Sequence, residues 1–190
     1  PLRRAPKHPW ETYVGPLLHG VHLKRREQAS RAIAELESPE GRLRLDIDTR
    51  DAMPRFFHKL PRLSYGVRPV PAAIAPNYTT ARYWPGDAEQ GIAGGYMVNT
   101  YRLDQRPLYE LPALTVHEAV PGHHHQIAIA QELENVPDFR TQGYITAFGE
   151  GWALYTEFLG QDMGIYETPY QHFGRLTYEM WRACRLVADT

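Results

Sequence analysis

The chain has 190 residues, which suits one domain of ordinary size with room for an appendage, and its 43% hydrophobic and 12% aromatic content can bury a core. A net charge of −1 and a pI near 6.9 exclude a global field that would draw the chain to nucleic acid or an anionic membrane. A single cysteine, Cys184, excludes an internal disulfide and a cysteine-based zinc cluster, and no run of 18 apolar residues is present to span a bilayer.

Residues 1–20 are punctuated by Pro, His and Gly and predict no regular element. A helix is expected over 22–37, with the basic run LKRREQASR (23–31) as its solvated face and SPEG (38–41) as the turn that ends it. A short helix near 49–58 follows, closed by KLPRL. The composition then shifts to Tyr, Val and Thr between Gly/Pro clusters. LSYGVRPVPA (63–72), TTARYWPG (79–86) and GGYMVNTY (94–101) predict two or three short strands. From about 107 onward the pattern is helical: 107–131 with an interruption at "PG", 142–162, and 169–189, the last with Thr168 as N-cap and Pro169 at the first helical position. Strands first and helices after make the fold class α+β, mainly helical. Cys184, in WRACRLV, reads as a small core residue. A start at Pro1 and an end at RLVADT read as those of a fragment, so the lack of a signal peptide says nothing of localisation.

The stretch TVHEAVPGHHHQ (115–126) holds four of the nine histidines. Zinc chemistry needs neutral imidazoles to hold the ion and a carboxylate beside them to take a proton from water, and Glu118 directly follows His117. The spacing is awkward. His117 and His123 are six positions apart, about 240° around an unbroken helix. Pro121 cannot donate to the carbonyl of residue 117, and Gly122 relaxes the backbone beside it, so the helix is expected to break there and return His123 to the face of His117. His124 is the rival ligand, on the same face of a straight helix but about 10.5 Å along its axis. His125 reads as surface or as a partner of a ligand. FGEGWALYTEF (148–158) adds Glu150 and Glu157 on one face of an apolar helix. Buried carboxylates need partners; a metal is expected for Glu150 and a salt bridge or a hydrogen bond to a ligand for Glu157.

HEAVPGHHHQ and EGWALYTE together resemble the bacterial family catalogued as domain of unknown function 885, and VRPVP (67–71), GGYMVNTY and EMWRACRLVADT (179–190) fit it over about residues 48–190. The resemblance implies a zincin-like, gluzincin-type core in which a small sheet precedes the metal-binding helices. It implies that His117 and His123 bind one Zn²⁺ per chain, with Glu150 the third ligand and Glu118 the general base. The chain is expected to divide into a helical N-terminal segment (1–47), part of a larger domain and outside the resemblance, and a metallopeptidase-like domain (48–190) cut short at its C-terminal end. In the family pattern "DT" leads on to a Gly-x-His element, so a transition-state histidine would lie past Thr190. Relatives described as lipoproteins leave bacterial cytoplasm and cell envelope both open.

The reaction expected is hydrolysis of a peptide substrate by a metal-activated water. GGYMVNTY is a candidate edge strand for pairing with an extended peptide, with Tyr96 and Asn99 as candidate substrate-binding residues. Tyr155, Tyr166, Tyr170 and Tyr178 are candidate oxyanion donors, each with packing as the plainer role. Arg182 and Arg185 are candidates to hold a C-terminal carboxylate, or to pair with Glu157 or Glu179. His172 reads as packing or capping. A zinc amidase on cell-wall or small-molecule amides, a non-catalytic metal-binding scaffold and a His-rich surface remain as alternatives. Neither a G-x-S-x-G elbow nor a phosphate loop is present.

Overall fold

The computed structural model describes residues 50–190; the helix expected over 22–37 and the 1–47 segment lie outside the described residues. Helix α1 (50–56) supplies Ala52 and Met53 to the core. The three Tyr- and Val-bearing stretches form β1 (Tyr65–Pro69), β2 (Ala81–Trp84) and β3 (Gly94–Val98). They pair in the order β1-β3-β2, with β1 parallel and β2 antiparallel to β3.

GGYMVNTY is therefore the centre of the sheet and not its edge. The edge beside the helices is β2. Gly94 explains part of the arrangement, because a Cβ there would collide with the Tyr83 ring, which crosses from β2 over that position. Asn99, just past β3, is buried, and its Nδ2 donates to the carbonyls of Ala75, Tyr78 and Thr79 at 2.8–3.1 Å. Such a buried amide is satisfied by loop backbone and fixes the path between β1 and β2.

Two 3₁₀ turns, Leu103–Gln105 and Leu108–Glu110, lead into α2 (Leu111–Glu118), and α3 (His123–Gln131) follows after a break. A five-residue helix that the sequence pattern does not predict, α4 (Asp138–Gln142), precedes α5 (Thr146–Asp162) and α6 (Pro169–Ala188). Thr168 and Gln171 form a reciprocal capping box at the start of α6. The core gathers Tyr65, Tyr83 and Tyr96 from the sheet with Leu114, Ala119, Val120 and Met163 from the helical side. The result is α+β, mainly helical, with a small three-stranded sheet.

Helix α6 turns Gly174, Tyr178 and Arg182 inward at four-residue spacing, and Gly174 lies so close to the Tyr109 carbonyl that a Cβ would clash. Cys184 is two residues past Arg182, about 200° around the helix, and is exposed rather than in the core. No described helix is long and apolar enough to cross a membrane.

Candidate metal centre

The C-terminal half of α2, Leu114 to Glu118, is buried throughout. The backbone leaves the helix at Ala119, the Val120–Pro121 bond is cis, and Gly122 folds against the end of α2. A Cβ on Gly122 would fall on the carbonyl oxygens of Val116 and His117, so only glycine fits this approach. The His124 N–H reaches the Ala119 carbonyl at 3.2 Å, and the Pro121 carbonyl accepts the indole N–H of Trp152 from α5 at 2.8 Å. These bonds satisfy the backbone groups that the break exposes.

The break sets the His117 and His123 rings at right angles, with centroids 4.8 Å apart. Glu150, in the second turn of α5, faces both. Its Oε2 is 3.6 Å from His117 Nε2 and its Oε1 is 3.6 Å from His123 Nε2. One donor atom from each of the three residues lies within 4.8 Å of the others. Two ligands on a tetrahedral ion with bonds of about 2 Å stand about 3.4 Å apart, so this donor set fits a zinc-sized cation after small rotamer shifts.

His117 is oriented from behind. Its Nδ1–H donates to Glu157 Oε1 at 2.7 Å, and Arg182 grips the same carboxylate with two guanidinium nitrogens at 3.0 and 2.6 Å. A carboxylate on the far nitrogen fixes the tautomer and aims the near one, the usual support of a metal-ligating histidine. The Thr156 hydroxyl donates to the Val116 carbonyl at 3.1 Å and binds α5 to α2 at the same level. His123 has no such support among the described residues: its Nδ1 is buried without a hydrogen-bond partner.

The charges agree with a cation site. Burial alone would depress His117, but Glu150, Glu157 and Glu118 outweigh it and hold its pKa up at about 9. Burial and the neighbouring His117 lower His123 to about 4, and His117 brings the Glu150 carboxyl down to about 2 against the effect of its own burial. The cluster thus keeps one positive charge among carboxylates, and a divalent ion could take over that role from the His117 proton.

Residues 29–190 match the family model described as bacterial protein of unknown function (DUF885). The chain belongs to this family. A crystal structure of "the putative lipoprotein from Colwellia psychrerythraea" has a similar fold: TM-score 0.69, 31% sequence identity, over 85% of this chain and 30% of that one. The chain thus spans less than a third of the length of that relative. No curated protein matches it.

In this DUF885 chain Glu118 stands beside the three-residue cluster without belonging to it. It is buried, and its Oε2 accepts the Tyr83 N–H of β2 at 2.7 Å. Burial raises its pKa above the usual carboxylate range, against the pull of His117 and the Tyr83 amide. Cluster and carboxylate open onto a cleft of about 760 Å³ between β2, α3 and the α4–α5 corner. Tyr144 and Arg82, neither of them singled out by the sequence pattern, also line it. The Tyr144 hydroxyl donates to Glu150 Oε1 at 3.3 Å, and its ring lies across Gly149, where a Cβ would collide with it.

Several other expected site residues lie elsewhere. His124 points to the sheet, where Nδ1 is 2.8 Å from the Tyr83 hydroxyl, so it cannot reach the cluster. His125 packs in the interior against Phe57 and Trp152 instead of lying at the surface. Tyr96 is buried with its hydroxyl 3.3 Å from Thr115 Oγ1, and Asn99 is consumed by the loop carbonyls, so neither faces a substrate. Tyr155 packs on Trp152, and Tyr166 donates to the Glu157 carbonyl at 2.6 Å. Tyr155, Tyr166, Tyr170 and Tyr178 are all absent from the cleft wall. Arg182 is committed to Glu157, and Arg185 pairs with Asp189 on the surface at 2.7 Å. Glu179 pairs with Arg175, and His172 packs on the Tyr166 ring.

Proposed function

We propose that this chain carries the catalytic centre of a zinc-dependent metallopeptidase with a gluzincin-like core. The observation that carries the reading is the convergence of two imidazole Nε2 atoms and one carboxylate on a cleft, beside a second, buried carboxylate outside the donor set. His117, His123 and Glu150 would hold one Zn²⁺, which when bound supplies Lewis acidity and brings the pKa of its water toward ~7.

The remaining chemistry belongs to the protein. Glu118 takes a proton from the attacking water and delivers it to the amide nitrogen; the water oxygen joins the carbonyl carbon and the C–N bond breaks. Its raised pKa suits a base that must also give the proton back, and the Tyr83 amide holds one of its oxygens in place. Tyr144 is the hydroxyl donor on the cleft wall beside the donor set, suited to a developing oxyanion. An extended peptide would lie along the outer side of β2, which among the described residues pairs only with β3. The description of the Colwellia relative as a lipoprotein favours the cell envelope as the place of action.

Elemental analysis of untagged protein tests the metal, and a peptide-library digest tests the reaction. About one zinc per chain is expected, lost in His123→Ala and Glu150→Ala and kept in His124→Ala. Glu118→Gln should keep the zinc and lose hydrolysis. Metal-free wild type, or full zinc in His123→Ala, refutes the centre; an active Glu118→Gln refutes the base.

A further inference from the structure

Arg82 is the cation on the cleft wall for which the fold gives no use. It stands on β2 opposite Met97, is exposed, and has no hydrogen bond or ion pair with any described residue. Arg182, which reaches the site from α6, is spent on Glu157, and Arg175 and Arg185 on the same helix pair with Glu179 and Asp189. The next residue, Tyr83, holds Glu118 through its backbone N–H, so Arg82 is rooted one Cα step, about 3.8 Å, from the anchor of the buried carboxylate. Its positive charge acts on Glu118, His123 and Tyr144.

A free guanidinium beside carboxylates that are otherwise engaged offers a planar two-donor fork to an incoming anion. Arg82 lines the same cleft as Glu118, Tyr144 and Glu150. We propose that Arg82 receives a carboxylate of the substrate within two residues of the amide that is cut, which makes the enzyme an exopeptidase acting at free C-termini. The two-residue limit follows from reach, because an extended peptide advances about 3.4 Å per residue and an arginine side chain spans one to two such steps. This inference rests on the peptidase reading for the cut, but not for the binding.

Two carboxylates could meet Arg82, the terminal α-carboxylate or an acidic side chain, and three probes separate them: N-acetyl-tetra-alanine as the free acid, the same peptide as its C-terminal amide, and the amide with aspartate in the third position. Calorimetric binding to zinc-loaded Glu118→Gln protein should favour the free acid over the plain amide by about 30-fold, in line with a charge-assisted two-donor contact of about 2 kcal/mol. Arg82→Met should erase that preference, and Arg82→Lys should restore part of it. No recovery of binding by the aspartate probe assigns the carboxylate to the terminus; recovery assigns it to a side chain and overturns the exopeptidase assignment. Equal or absent binding of acid and amide, or a preference that survives Arg82→Met, overturns the proposal. Hydrolysis of acid and amide alike, indifferent to Arg82→Met, would leave the peptidase standing and remove this inference. Arg82-dependent binding without hydrolysis of any peptide would do the reverse.

Discussion

Trp152 Nε1 donates to the carbonyl oxygen of Pro121 at 2.8 Å, so the helix that carries Glu150 is bonded to the break that positions His123. Trp152→Phe keeps most of the ring's packing and orphans that carbonyl. Loss of this bond should cost ~1–2 kcal/mol, seen as a lower midpoint in urea denaturation. Zinc affinity should fall as well, since both ligand-bearing segments are released from each other.

Gly122 admits no side chain. In Gly122→Ala the new methyl meets two backbone oxygens, which cannot rotate away as a side chain would. The break must open, at a cost of ~2–4 kcal/mol. His123 moves with it, so competition with a fluorescent chelator should report at least a tenfold loss of zinc affinity.

Glu157→Gln keeps the shape of the carboxylate behind His117 and removes its charge. The amide can still accept from His117 but no longer neutralises Arg182. A 10–100-fold loss of metal affinity is expected, together with lower stability of the metal-free protein. Titration with zinc and thermal melting in a chelator measure the two effects separately.

Tyr144→Phe removes the hydroxyl next to Glu150 and leaves the ring across Gly149. Zinc binding should be unchanged within about twofold, and kcat should fall ~10²-fold. Steady-state kinetics with a metal assay on the same sample decides it; an unchanged kcat would show that Tyr144 only supports the ligand.

Glu132, at the end of α3, accepts the Arg62 N–H at 2.6 Å and lies 3.6 Å from Lys59 Nζ, which fastens the segment before β1 to the helix. Burial raises its carboxyl, but the Arg62 amide and the Arg62 and Lys59 charges outweigh it and hold the pKa below the ordinary 4.5. Because the folded value is depressed, the stabilisation is complete above pH 4.5 and is lost as pH falls through the folded value. Glu132→Gln should therefore be ~1–2 kcal/mol less stable at pH 7. Urea curves at pH 7 and pH 3 should show that gap narrowing in acid.

Strand positions and the helical breaks follow from local chemistry: β-branched and aromatic runs between turn residues, Thr168 before Pro169, and the Pro121–Gly122 pair. Strand order does not. Gly94 and Gly95 carry no mark of an edge or a centre, and only the passage of the Tyr83 ring over Gly94 shows why β3 lies inside. Arg82 reads as the polar half of an alternating strand, so its position over the cleft is invisible until β2 is placed beside α2. Tyr144 sits in an aperiodic corner, and its role depends on Gly149 five residues on, a contact of no helical period. Asn99 has the composition of a binding residue, yet the carbonyls that consume it come from 75–79, twenty or more positions away.

The three consecutive histidines each answer to a different neighbour: His123 to Glu150, His124 to Tyr83 and Tyr65, His125 to Phe57 and Trp152. A point substitution therefore disturbs one direction at a time. Adding or deleting a single residue between Pro121 and His123 would rotate all three at once and hand each ring its neighbour's surroundings. The count of residues across this stretch is as much a determinant of the site as their identity.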